Sequence, residues 1–128
     1  MGYNISKKID GSFDDAIKKV TEELKKEGFG IISEIDLRSK FKEKLNVDFR
    51  NYKILGACNP ALAYEAIQQE DKIGTMLPCN ILVQEKEPNK VEVSAINPLE
   101  SMSAVNNINL QTIAAEVSKK LNAVMDRL

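Results

Sequence analysis

The sequence contains no histidine, and that absence excludes a broad set of functions. Without imidazole there is no Ser-His-Asp or Cys-His nucleophile pair, no imidazole metal site and no histidine pH switch. Net charge is also nearly missing, since 18 Lys plus Arg face 19 Asp plus Glu and leave −1. Nucleic acid and anionic membrane both require a basic face, so neither is an expected partner. No apolar run approaches the roughly 20 residues that span a bilayer, and the charged N-terminus lacks a signal-peptide core. Met1-Gly2-Tyr3-Asn4-Ile5-Ser6 fits the loose myristoylation pattern. The bulky Tyr3 and the strand-like alternation that follows speak against that use. The six glycines are scattered and form neither a P-loop nor a dinucleotide fingerprint. Only two cysteines occur, Cys58 and Cys79, and their spacing fits neither a C-x-x-C motif nor a zinc ligand set. Reduced thiols and a cytoplasmic location are the expectation.

What is present reads as one soluble α+β domain over residues 1–128, with 43% hydrophobic and 29% charged residues. Residues 3–9 alternate as a half-buried strand, and Asp10-Gly11 turns the chain. Ser12 caps a helix whose stripe is Phe13, Ala16, Ile17, Val20 and Leu24, with Asp14–Lys18, Asp15–Lys19 and Glu22–Lys26 expected to pair on its wet side. Gly28 supplies a left-handed stop. A second strand, 29–35, is expected to carry Phe29, Ile31 and Ile35 on one face. Asp36 caps a short helix bearing Leu37, Phe41 and Leu45, which ends at Asn46.

Strand three is Tyr52–Cys58, and Asn59-Pro60 opens a third helix running to about Asp71. Gly74 and Pro78 bracket a loop before strand four, Cys79–Gln84. Glu87-Pro88-Asn89-Lys90 turns the chain into an antiparallel strand five, Val91–Ile96. Asn97-Pro98 repeats the cap, with Glu100 placed for a capping box. The last helix carries Leu110, Ala114, Val117, Leu121, Val124 and Leu128, a stripe broad enough to serve both packing and a two-fold contact. Residues 3–35 and 52–84 share a strand–helix–strand plan, a hint of duplication at the level of architecture.

The stretches Gly56-Ala57-Cys58-Asn59-Pro60 and Leu77-Pro78-Cys79-Asn80 are the most informative. Cys58 ends a strand beside a helix N-terminus, where free backbone N–H groups favour anions and thiolates. Cys79 opens a strand that can run alongside. Cys58, Asn59, Pro60, Pro78, Cys79 and Asn80 are therefore the candidate ligand-binding residues. Cys58 and Cys79 become candidate metal or redox groups only if their thiols face each other. Against this stands the ordinary behaviour of free Cys as a small buried hydrophobe, and of Asn-Pro as a capping device. Arg50 offers an anion contact or a surface ion pair. No residue is assigned a catalytic role and no cofactor is expected.

Glu34-Ile35-Asp36 through Asn51-Tyr52-Lys53-Ile54-Leu55-Gly56-Ala57-Cys58-Asn59-Pro60, with Leu77-Pro78-Cys79-Asn80 and Ile96-Asn97-Pro98, resembles the domain of unknown function 302 family over nearly the whole chain. The resemblance implies helices on a mainly antiparallel sheet, similar to the TATA-binding-protein fold, and a homodimer in prokaryotic cytoplasm. Its recurrent positions fall on Cys58, Asn59, Pro60, Pro78, Cys79, Asn80 and Pro98. Asn46 and Asn97 stand where the family often has Gly and Asp. The family brings no established reaction with it. The expected function is a non-enzymatic, homodimeric module for a small ligand or partner; the alternative is a thiol-based redox or soft-metal protein.

Overall fold

A computed structural model describes residues 2–128; Met1, and with it the start of the myristoylation-type motif, lies outside the described residues. Five strands form one sheet in the order β1-β5-β4-β3-β2, with every neighbouring pair antiparallel. They are β1 (Asn4–Asp10), β2 (Gly30–Asp36), β3 (Tyr52–Cys58), β4 (Cys79–Glu87) and β5 (Lys90–Ile96). The helices are α1 (Phe13–Lys26), α2 (Leu37–Leu45), α3 (Pro60–Gln69), α4 (Pro98–Ser101) and α5 (Ile108–Asp126). Where the third helix was expected to continue to Asp71, α3 stops at Gln69 and a 3-10 helix, Asp71–Met76, takes over.

The caps are those the sequence proposes. Ser12, Asp36, Asn59 and Asn97 each accept a backbone N–H of the helix that follows, and Asn46 ends α2 in the left-handed conformation. The capping box at Glu100 does not form, because the Asn97 N–H donates to the Tyr3 carbonyl instead. Lys26 pairs with Glu23 rather than Glu22. Glu23 is itself largely buried and also binds Arg127, which clamps the end of α5 onto α1.

One face of the sheet is covered and one is bare. Leu55, Ala57, Ile81, Val83, Val91, Val93 and Ala95 are buried beneath α1 and α5, whose Val20, Leu24, Leu121 and Val124 complete the main core. The α5 stripe is thus consumed inside the molecule. A smaller second core, Ala66, Ile73, Met102, Leu110 and Ala114, forms where α3, the 3-10 helix and α4 meet the first half of α5. The bare face carries Ile54, Leu82, Ser94 and Ile96, and at its one covered end Phe49 meets the Tyr52 ring and Arg50 holds the buried Gln84.

Two expectations are corrected by the sheet. β1 and β2 form its opposite edges, joined by α1 across its whole width, whereas β3 and β4 are neighbours. The two strand–helix–strand segments are therefore not equivalent units. Ile31 and Ile35 do not share a face either. A β-bulge shifts the register between Ile31 and Ser33, so Ile31 sits opposite Ala57 of the core while Ile35 sits opposite Ile54 of the bare face. The bulged residue, Ile32, is left unpaired and 64% exposed.

Candidate functional site

The seam between the two cores is open and forms a cleft of about 330 Å³. Phe29, Ala57, Leu62 and Cys79 of the main core line one side; Ala66, Met102 and Ala114 of the second line the other. The cleft exists because α3 packs chiefly on α5 and on the 3-10 helix, and so stands off the sheet. Small residues keep the gap from closing. Ala63 and Ala66, one turn apart on α3, and Ala114 on α5 leave empty the volume that larger side chains would occupy.

Four of the six sequence-derived candidates meet here: Cys58, Asn59, Pro78 and Cys79. Pro60 occupies the first position of α3, exposed and outside the lining. Asn80 faces the other way and lines a shallow groove on the bare sheet face with Tyr52, Ile54 and Leu82. That split follows from strand alternation, which sends adjacent residues to opposite faces.

The two cysteines lie on paired strands. Cys79 stands opposite Ala57, one position out of register from Cys58, and both are free thiols. Cys79 is 7% exposed, and burial pushes its thiol up to about 11, with a further push from the charge on Cys58. At neutral pH it is an un-ionised thiol, a small apolar wall element and a poor nucleophile. Among the described residues, no group of three or more His, Cys, Asp or Glu is placed to hold a metal ion.

Asn59 is fully committed to structure. Its Oδ1 accepts from the Leu62 N–H at 3.3 Å, and its Nδ2 donates to the Glu27 carbonyl at 3.2 Å, at the end of α1. Gly28, with φ at +86°, makes room for that amide; a Cβ there would lie 3.0 Å from the Asn59 Nδ2. Gly56 answers a tighter constraint, since its Cβ would come within 2.8 Å of the Pro78 ring and 2.1 Å of the Ser33 hydroxyl. Among the described residues, no Lys, Arg, Asp or Glu lines the cleft. Arg50 lies elsewhere: it donates to Gln84 at 3.0 Å and stacks on Phe49 at 4.4 Å.

Several lining residues were not singled out from sequence, notably Ile32, Ile67, Met102 and the three alanines. The adjacent isoleucines Ile31-Ile32 depart from strict alternation, but a strand without a bulge would also leave one of them in water, so the pair does not mark the bulge. Ala63 and Ala66 read as ordinary helix formers, and nothing local marks them as cleft residues.

The chain is similar along nearly its whole length to an uncharacterized protein of known structure and to a family of unknown function. The crystal structure of an uncharacterized conserved DUF302 protein from Bacillus stearothermophilus superposes with a TM-score of 0.90 at 28% identity, covering 99% of this chain and 98% of that one. No curated protein matches it. Residues 5–128 match the family described as Domain of unknown function DUF302. Given that match along nearly the whole sequence and a shared fold, the chain belongs to the DUF302 family.

Proposed function

We propose that this protein is a non-enzymatic binding module, acting as a homodimer, whose ligand site is the cleft walled by Cys58, Asn59, Pro78 and Cys79. The observation that carries the reading is the cleft itself. Its volume falls in the range of small-molecule sites, and its wall is almost wholly apolar. Among the described residues no carboxylate or lysine borders it, Asn59 is spent on capping and Cys79 is a neutral thiol, which leaves Cys58 as the one lining thiol without that burial. Binding without turnover is the chemistry such a wall offers.

The bare face of the sheet supports the dimer. It presents half-buried Tyr52, Ile54, Leu82 and Ile96 beside exposed Tyr3 and Ile35, an apolar strip that a second copy would cover. The one-sided stacking of helices on an antiparallel sheet supports the TATA-binding-protein-like description, and two free cysteines suit a reducing prokaryotic cytoplasm. The redox form of the alternative is weakened by the raised Cys79 thiol, since thiol–disulfide exchange proceeds through the thiolate.

Native mass spectrometry of untagged protein, purified without chelator, tests stoichiometry and occupancy together. The expected spectrum shows a dimer with a retained small organic molecule or an empty site. A strictly monomeric mass at micromolar concentration refutes the dimer. A stoichiometric metal ion held by the two cysteines refutes the binding-module reading in favour of its alternative.

A further inference from the structure

We infer that the cleft takes an uncharged aliphatic ligand, seated between the alanine-bearing faces of α3 and α5 and closed on its outer side by Ile32. This rests on the binding role proposed above and narrows it to a ligand class.

The first argument is charge. The lining holds no Lys, Arg, Asp or Glu, and the one amide among it, Asn59, has its oxygen and its nitrogen engaged with Leu62 and Glu27. A charged group drawn into this space would lose its hydration with nothing to replace it, a cost of several kcal/mol or more. Recesses elsewhere on the molecule differ: those beside the β4–β5 turn and beneath α2 are walled by Lys8, Lys86, Arg38 or Asp36.

The second argument is shape and chemistry. A cavity of roughly 150 Å³ holds one benzene ring. The cleft, at about 330 Å³, has about twice that space, enough for an eight-carbon chain or more. Its wall is alkyl and thioether, from Leu62, Ile67, Met102, Ile113 and Val117, with Phe29 as its one aromatic ring. Contacts of this kind are non-directional and reward buried CH₂ groups.

The third argument is Ile32. Strands gain bulges where a side chain has to be re-aimed, and here the extra residue is the one that reaches the cleft. An isoleucine left 64% exposed is costly in water and covered when a ligand fills the space beside it. Ile67, 42% exposed, borders the same opening from α3.

The test is calorimetric titration of the full chain with 1-alkanols of rising length, and with octanoate and octylammonium. The dissociation constant is expected to fall about fourfold per added methylene until the cleft is full, in line with the transfer free energy of a CH₂ group. 1-Octanol is expected to bind at least tenfold more tightly than either charged analogue. Ile32→Ser, at an exposed position that leaves the core intact, should weaken 1-octanol roughly tenfold. Ala63→Phe, at a half-exposed position, should fill the space and abolish binding. Octanoate or octylammonium binding as tightly as 1-octanol, or a flat length dependence, overturns the ligand class while leaving a binding site. Binding by no member of the series, or binding indifferent to both substitutions, overturns the cleft as the site altogether.

Discussion

At the scale of single residues, Cys79 ties the site to the stability of the fold. Its thiol is raised from an ordinary value of 9.0 to about 11 by burial first and by the Cys58 charge second. The unfolded chain ionises this cysteine near its ordinary value, whereas the folded chain keeps it protonated until about 11. The contribution of the neutral buried thiol is therefore fully present below pH 9.0 and is lost as pH rises to about 11. Two units correspond to roughly 2–3 kcal/mol. Urea denaturation at pH 8 and pH 10.5 should show the wild type losing stability more steeply than Cys79→Ala, although the variant is the less stable of the two at pH 8. Parallel losses in both proteins would show that the Cys79 thiol is not buried as described. Sequence reading named both cysteines yet could not separate them, because burial depends on what α3 and α5 lay over each. The same holds for Gly56, whose need for a bare Cα arises from the Pro78 ring and Ser33, 22 residues after it and 23 before it in the chain.

At the scale of elements, asparagine does more than cap. Asn59 and Asn107 each accept from the helix they open and donate to a carbonyl at the end of an earlier helix, Glu27 after α1 and Gln69 at the end of α3. Asn97 does the same for α4 while holding the Gly2 carbonyl and accepting from Ser118. Each amide thus satisfies an orphan donor of one helix and an orphan acceptor elsewhere. An aspartate supplies only the first, which is the physical content of the Asn97 departure noted in the sequence. Asn59→Ala should cost about 2–3 kcal/mol in urea denaturation, from the lost cap and the unsatisfied Glu27 carbonyl. Asn59→Asp should lose less, since it retains the acceptor. Equal stability of Asn59→Ala and wild type would remove the tie between α1 and α3 from the account. The caps at Ser12, Asp36, Asn59 and Asn97 and the helix stripes were legible because they are set by neighbours in sequence, whereas the Asn107 cap and the extension of β4 to Glu87 were not read. The bulge at Ile32 was not, because it depends on which residues of β3 lie across from β2.

At the scale of the whole molecule, the chain builds two cores on one side of a single sheet, and the cleft is the gap between them. The family resemblance implies helices on a mainly antiparallel sheet, while composition and periodicity mark only the individual strands and helices. They carry no information on how far α3 stands from that sheet, which is settled by its packing on α5 and the 3-10 helix. The cysteine-bearing junctions fall at the strand ends beside the cleft for a local reason, the helix cap and the proline. The alanines that leave the space open were hidden by their ordinary helix propensity. The bare sheet face and the cleft are on separate parts of the surface, so the proposed dimer contact and the proposed ligand site do not overlap. Methyl-resolved NMR of the protein titrated with 1-octanol reports directly on which of the two surfaces an apolar ligand occupies. The account predicts saturable shifts of the Ile32, Ala63, Ala66, Ile67 and Ala114 methyl resonances, with those of Ile54 and Leu82 unmoved. Saturable shifts confined to Ile54, Leu82 and Ile96, or no saturable shift at the cleft methyls, would contradict it.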